Sequence, residues 1–255
     1  MTITSEEWKV MREHSIIPKE EAKIEPNLMP DIKKYSISEI TSELKKQDAR
    51  LIRKRYAETS ISDYLSQIEP KELADKFIAF HNDHLFFDEV CAGAKHHHWW
   101  KCGLRDHCSE MIGMGMDIMD LYPGDFENRF TKTDLIIAVY LHDFAKIWIY
   151  RYITEQDRQF NKRLHEKQVF TFNEGVQDIL DSENLIAVEL MKYGMPITKE
   201  QWSAIVFAEG GFASAHYNMH GTSKTSETVN KRNPLASFVS MLDLYSSQIL
   251  GRSLI

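Results

Sequence analysis

The chain has 255 residues, 43% of them hydrophobic, and a net charge of −7 at pH 7, which is typical of a large globular domain with room for an extension. The acidic balance, with a pI near 5.9, argues against a surface built to coat long DNA or RNA. No apolar run reaches about 18 residues and the start of the chain lacks a signal-peptide pattern, so we expect no membrane span and a cytoplasmic location. Three cysteines, Cys91, Cys102 and Cys108, are therefore expected to be reduced thiols.

The first part of the chain is predicted to be an α-helical N-terminal extension, residues 1–80, of a main domain, residues 81–255. Its polar, Pro-punctuated start either wraps the main body, joins a homo-oligomer or is disordered. Helical spacing of apolar residues then predicts helices over Ser36–Thr59, Ser60–Ile68 and Pro70–Asn82, the last beginning at a proline.

A histidine-rich segment, KHHHWWKCGLRDHCSEM, precedes the next predicted helix, which runs from Leu104 to Leu121. Apolar residues at helical spacing give that helix a broad apolar face, and His107 lies next to it. Since His96, His97 and His98 are consecutive, no regular element directs all three to one place, so at most two serve one site. The tryptophans that follow them either stack on a nucleotide base or fill the core.

The most informative stretch is Leu135–Trp148, LIIAVYLHDFAKIW, which contains His142, Asp143 and Lys146. Its aliphatic run predicts a helix that is buried on nearly all sides and continues around the His142–Asp143 doublet, with strand as the competing interpretation because of its β-branched residues. Thr131 or Thr133 is the expected N-cap. Because an unpaired buried charge costs several kcal/mol, the polar residues need a reason, and a metal ion would satisfy both His142 and Asp143.

The later chain is less regular. Arg151–Lys167 is strongly charged and predicts a helix end and a loop, with an exposed His165 favoured over a phosphate contact. Glu174–Tyr193 predicts one helix or two short ones, and Thr198 predicts the cap of a further helix. Pro234–Leu250 predicts an apolar helix with a single acid, Asp243.

A polar segment, Gly210–Asn233, separates the last two predicted helices. Loops of this length inside a compact domain are often lids or binding loops, and a mobile surface loop without a ligand role is the alternative. The residues suited to holding phosphates or stacking on a base are His216, Tyr217, Lys224, Lys231 and Arg232.

The chain resembles the HD superfamily of metal-dependent phosphohydrolases in its HD-x-x-K form. The motifs that carry the resemblance follow one another along the chain: GLRDH, LHDFAK and a lone aspartate in a late apolar helix. The resemblance covers about 95–251 and implies an all-α HD-domain helical bundle. The residues that match the family's motif are His107, His142, Asp143, Lys146 and Asp243.

The resemblance implies four metal ligands: His107, His142, Asp143 and Asp243. Imidazole and carboxylate ligands suit Mn, Fe, Co, Ni or Zn, and Mg less comfortably. The ion would lower the pKa of water and polarise phosphorus, which makes Asp143 a catalytic residue as well as a ligand. Lys146 would bind a phosphate oxygen or help position the water.

His97 and His98 are similar to an upstream pair in HD proteins that resemble bacterial 3′-to-5′ exoribonucleases, which implies substrate binding for both. Binuclear HD enzymes carry a later histidine pair, and Glu209 and Gly210 stand in the matching place here. We therefore expect one tightly bound divalent ion. Glu209 is a candidate general base or ligand of a weak second ion, with a helix-terminal carboxylate as the alternative.

The reaction implied is hydrolysis of a phosphate ester or anhydride of a small nucleotide, as in a nucleotidase or nucleoside triphosphohydrolase. Two alternatives stay open. One is a phosphodiesterase or 3′-to-5′ exonuclease acting on cyclic or short oligonucleotides, and the other is a nucleotide-binding regulator without turnover. Long nucleic acid is disfavoured as a partner by the acidic composition.

Overall fold

The computed structural model describes residues 55–56, 59–93, 97–177, 182–208 and 233–251. These residues are predominantly helical, with one two-stranded antiparallel sheet among them, which confirms the all-α prediction. Within the same ranges no helix is both long and apolar enough to cross a membrane. The three cysteines are free.

The helices are, in chain order, α1 (Ile61–Leu65), α2 (Lys71–Asn82), α3 (Gly103–Leu121), α4 (Pro123–Phe126), α5 (Lys132–His142), α6 (Lys146–Ile149), α7 (Glu155–Phe160), α8 (Glu174–Gln177), α9 (Ser182–Lys192), α10 (Lys199–Phe207) and α11 (Pro234–Tyr245). A 3₁₀ turn, Leu85–Asp88, follows α2, and a π-helical turn, Ser246–Leu250, extends α11. The strands are β1 (Tyr150–Tyr152) and β2 (Phe170–Phe172).

Helix α5 lies at the centre of the core, and every residue from Leu135 to Leu141 is fully buried. It packs against α1, α3, α10 and α11. Its start is fixed by a capping box, in which the Thr131 hydroxyl accepts from the Asp134 amide and the Asp134 carboxylate accepts from the Thr131 amide. The helical interpretation of this apolar run and its cap at Thr131 are therefore confirmed.

Helix α3 begins one residue before its predicted start, at Gly103, and ends at Leu121 as predicted. A side chain at Gly103 would place its Cβ 1.9 Å from the carbonyl oxygen of His98. Only glycine permits this approach, because a Cβ at that distance would overlap the oxygen. The histidine segment is thereby held directly against the first turn of α3.

Helices α10 and α11 complete the layer around α5. The Thr198 cap of α10 is confirmed, and the side chain of Gln201 donates to Asp134 at 2.8 Å, which ties the starts of α10 and α5 together. Asn233 caps α11 by accepting from the Ala236 amide at 2.7 Å. The last residues depart from α-helix, since the Gly251 amide donates to the Ser246 carbonyl in the π pattern.

The N-terminal helices α1 and α2 confirm two of the predicted segments and bury residues in the same core, among them Leu65, Phe77 and Phe80. Pro70 is the N-cap of α2 and not its first helical residue. The predicted helix Ser36–Thr59 lies almost wholly outside the described residues. The boundary near residue 80 stays a prediction.

Two predictions about the middle of the chain need correction. Arg151–Lys167 contains more than a helix end and a loop, because β1 pairs with β2 with Tyr150 opposite Phe172 and Tyr152 opposite Phe170. Strands of three residues are too short to show an alternating pattern, and stacked aromatic rings stabilise the pair. The second correction concerns the helix of the HD stretch, which ends at His142.

Candidate metal centre

Three helices bring the predicted ligands to one place. His107 lies in the second turn of α3, His142 is the last residue of α5, and Asp243 lies near the end of α11. Because α3 and α11 both pack on α5 and on each other, these three side chains approach one another. His107 is fully buried, and Asp243 keeps one edge towards solvent with a side chain 20% exposed.

The distances between donor atoms describe a compact cluster. His107 Nε2 lies 3.2 Å from Asp243 Oδ1 and 3.7 Å from Asp143 Oδ2, and His142 Nε2 lies 3.4 Å from Asp143 Oδ2. One donor atom each of His107, His142 and Asp243 lies within 4.8 Å of the others. Ligands at about 2.1 Å from one ion stand no more than about 4.2 Å apart, so the cluster needs only small movements to close on a cation.

Two buried nitrogens in this cluster have no hydrogen-bond partner among the described residues: His107 Nε2 and His142 Nε2. His107 Nε2 is close to Asp243, but the contact lacks the alignment of a hydrogen bond. A buried polar atom left unpaired costs about 1–3 kcal/mol, so such atoms usually have a function. Two such nitrogens, close to each other and to an Asp243 oxygen, fit a bound divalent cation.

The second ring nitrogen of each histidine explains this arrangement. His142 Nδ1 donates to the Val139 carbonyl at 2.7 Å, and His107 Nδ1 donates to the Ser246 hydroxyl at 2.9 Å. The Ser246 hydroxyl can accept because its own proton goes to Glu110, at 2.8 Å. In a neutral ring with Nδ1 protonated, Nε2 carries a lone pair, which is the form that binds a metal.

Asp143 lies just beyond the end of α5, with φ −111° and ψ 8°. The expectation that a continuous helix would carry both residues of the doublet is therefore wrong. Beyond this break the Asp143 carboxylate lies 3.4 Å from His142 Nε2, although consecutive side chains on a regular helix point about 100° apart. Lys146, in the first turn of α6, forms an ion pair with Asp143.

The electrostatic environment of the cluster favours a bound cation. Burial alone would raise the pKa of Asp143, but the Lys146 ammonium and the His142 ring outweigh it and hold that pKa well below its usual value. Burial is likewise outweighed at Asp243, where contact with His107 lowers the pKa. For His142 burial lowers the pKa, yet the Asp143 carboxylate reverses this and raises it. Carboxylates that stay ionised while buried are suited to a cation.

His97 and His98 stand beside His107 and not apart from it. Ring centroids lie 5.4 Å from His97 to His107 and 5.0 Å from His98 to His107, and donor atoms of the three also fall within 4.8 Å of one another. His98 is fully buried with its Nε2 2.9 Å from Glu110, whereas His97 is partly exposed. Burial lowers the pKa of His97 to about 3, with smaller contributions in the same direction from its neighbours His107 and Lys146.

Other predicted residues do not reach the cluster or cannot be placed. His165 is exposed, as favoured from the sequence, and Trp100 is partly buried and donates to Asp106 at 2.9 Å. Trp99 is partly buried as well. The predicted residues that lie outside the described part of the chain are Glu209, His216, Tyr217, Lys224, Lys231 and Arg232.

Two polar residues of the site were not found from the sequence: Glu110 and Ser246. The sequence contains a signal for Glu110, because it is the only ionisable residue from Ser109 to Met116 in the apolar helix α3. A charge in that position needs a buried partner. Nothing in the sequence distinguishes Ser246 from its neighbour Ser247.

Comparison of the chain with protein-family models, with curated proteins and with solved structures found no match. The fold and the site by themselves define a helical protein with a buried cluster of histidine and aspartate side chains that could hold a metal ion. This cluster is compatible with an HD-type site.

Proposed function

We propose that this protein is a metal-dependent phosphohydrolase of the HD type. The observation that carries the proposal is the pair of buried Nε2 atoms of His107 and His142, which have no hydrogen-bond partner within the described part of the chain and lie close to Asp143 and Asp243. The same residues match the family's H…HD…D motif in order along the chain. An HD-type metal site accounts for both the motif and the unpaired nitrogens.

In this proposal His107, His142, Asp143 and Asp243 hold one divalent ion. When bound, the ion supplies polarisation of a phosphoryl oxygen and a lowered pKa for water. Mixed nitrogen and oxygen ligands favour Mn, Fe, Co, Ni or Zn over Mg. The Asp243 side chain is 20% exposed, against 6% for Asp143, so the cluster is most open to solvent at Asp243.

The remaining side chains orient the substrate. Lys146, a cation next to Asp143, is assigned contact with a phosphoryl oxygen, since its charge opposes the negative charge of the reacting group. His97 is neutral, and its Nδ1 lies 3.2 Å from His98 Nδ1. If that contact takes the Nδ1 proton, the outer nitrogen of His97 is left to accept a proton from a hydroxyl or a water.

The substrate class that we propose is a small nucleotide, with hydrolysis of a phosphate ester or anhydride. The acidic charge of −7 supports a small substrate over a long polyanion, because a chain with that charge repels nucleic acid outside its immediate site. A cytoplasmic location and a homo-oligomeric state remain part of the proposal.

The test is a hydrolysis screen of the purified full chain against nucleoside mono- and triphosphates, cyclic nucleotides and short RNA and DNA oligomers. Each substrate is tried after chelator treatment and again with Mn, Co, Ni, Zn or Mg added. We expect turnover of mononucleotides that is lost with chelator and restored by a first-row divalent ion, because no other described group supplies an activated nucleophile at the cluster.

Each other result of the screen corrects a specific part of the proposal. Turnover of cyclic nucleotides or oligomers alone would replace nucleotidase with phosphodiesterase or exonuclease. Binding of nucleotide and metal without turnover would replace the enzyme with a regulator. Hydrolysis that is unaffected by chelator would contradict the metal-dependent reaction itself.

A further inference from the structure

A buried carboxylate, Glu110, lies one helical turn after His107 on α3 and is 1% exposed. Burying a carboxylate is costly unless hydrogen bonds compensate, so its partners indicate what it does. Its Oε2 atom accepts from the Ser246 hydroxyl at 2.8 Å and lies 2.9 Å from His98 Nε2. Neither partner is a metal ligand in the proposed site, but Ser246 is hydrogen-bonded to His107.

The contact to His107 runs through Ser246 and has a definite direction. The Ser246 hydroxyl has a single proton, and a carboxylate can only accept, so that proton goes to Glu110. The oxygen of Ser246 is then left to accept, and the donor that faces it is His107 Nδ1, at 2.9 Å. This chain of contacts favours the tautomer of His107 that carries its proton on Nδ1.

The backbone places Ser246 for this contact. It occupies the junction between α11 and the π-helical turn Ser246–Leu250, where its carbonyl accepts from the Gly251 amide at 2.7 Å. π-Helical turns within helices are frequent at functional sites, because the changed pitch redirects side chains. Asp243, one turn earlier on α11, contacts the opposite nitrogen of His107. The two ring nitrogens of His107 are therefore contacted by residues of α11 and of the π-helical turn that extends it.

We propose that Glu110 and Ser246 are positioning residues that fix the ring orientation and the tautomer of His107 and so set the affinity of the site for a divalent metal. This inference rests on the metal site of the proposed function. Hydrogen-bond partners of ligating histidines typically change metal affinity by about 10–100-fold when they are removed. Glu110 also holds His98, so the same carboxylate orders the histidine segment beside the site.

The first test measures the tautomer without any metal. Full-length protein with ¹⁵N-labelled histidine, freed of metal, is studied by long-range ¹H–¹⁵N NMR, and the His107 signals are identified by their loss in His107→Gln. We expect Nδ1–H for His107 in the wild-type chain and a shift towards Nε2–H in Ser246→Ala. A wild-type ring protonated at Nε2, or a ring unchanged in Ser246→Ala, would overturn the inference whatever the protein hydrolyses.

The second test measures Co²⁺ affinity by titration for Ser246→Ala, Glu110→Gln and the double variant. We expect Ser246→Ala to weaken binding by about 10–100-fold and Glu110→Gln to weaken it less, since the amide oxygen still accepts but without charge. In the double variant Glu110→Gln should add nothing to Ser246→Ala, because both act through one hydrogen bond to His107. Fully additive losses would mean that Glu110 does not act through Ser246.

A matched control stands next in the chain. Ser247 is also buried, 6% exposed, and its hydroxyl contacts the Leu244 carbonyl and not His107. Ser247→Ala should keep wild-type Co²⁺ affinity, and an equal loss in both serine variants would reduce the effect to general loosening of the turn. Wild-type protein that binds no Co²⁺ would contradict the proposed function, while the tautomer measurement would still decide the positioning role.

Discussion

Replacing Asp143 with alanine is expected to lower kcat/KM for metal-dependent hydrolysis on the order of a thousandfold, the loss typical of removing a group that stabilises charge at the reacting centre. Asp143 lies 3.7 Å from His107 Nε2 and 3.4 Å from His142 Nε2, and its carboxylate is 6% exposed. Without it the cluster loses a ligand and a negative charge together. Steady-state kinetics with saturating Co²⁺ or Mn²⁺ provides the measurement.

The matched control for Asp143→Ala is Asp125→Ala, which truncates an exposed aspartate of α4 away from the cluster. That variant should keep wild-type kcat/KM. If metal-replete Asp143→Ala hydrolysed the substrate as fast as Asp125→Ala, Asp143 would have no part in the reaction.

Replacing Lys146 with methionine is expected to lower the free energy of unfolding of the metal-free protein by about 3 kcal/mol or more. Methionine keeps much of the length of the side chain but leaves the buried Asp143 carboxylate without its ion-pair partner. Excess metal should narrow the difference from wild type, because the bound cation gives Asp143 a new partner. Urea unfolding with chelator and with metal gives both values.

The chain offers a control of the same sequence spacing. Lys192 pairs with Glu189 three residues earlier at 2.6 Å, as Lys146 pairs with Asp143, but the Lys192 side chain is 62% exposed. Lys192→Met should cost less than about 1 kcal/mol, since solvent screens a surface pair. An equal loss of unfolding free energy in the two variants would show that burial does not make the Lys146–Asp143 pair more stabilising than a surface pair.

The sequence predicts much of the fold because its signals are local. The run Leu135–Leu141 has no polar residue that would favour a surface, and the caps Thr131 and Thr198 are followed at the right distance by Asp134 and Gln201. The strands β1 and β2 could not be predicted in the same way. Their pairing joins segments separated by the whole of α7, and three residues carry too little pattern.

The same difference between local signals and contacts of distant segments applies to the candidate site. His107, His142, Asp143 and Asp243 follow from a motif, and the structure brings all four together. The bond from His107 to Ser246 spans 139 positions and depends on a π-helical turn that no local propensity encodes. The end of α5 at His142 could not be predicted for a related reason. The apolar pattern continues through the buried residues Phe144 and Ile147, whereas the regular helical backbone stops at His142.

The most direct test of the metal site is the metal content of the purified chain after loading with Co²⁺ or Mn²⁺ and dialysis, measured by inductively coupled plasma mass spectrometry. We expect about one ion per wild-type chain, since the four ligands form one cluster. His142→Ala and Asp243→Asn should retain almost none. His165→Ala, which removes an exposed histidine, should retain the wild-type amount. A wild-type chain without metal, or equal retention in His142→Ala and His165→Ala, would contradict a metal centre at this cluster.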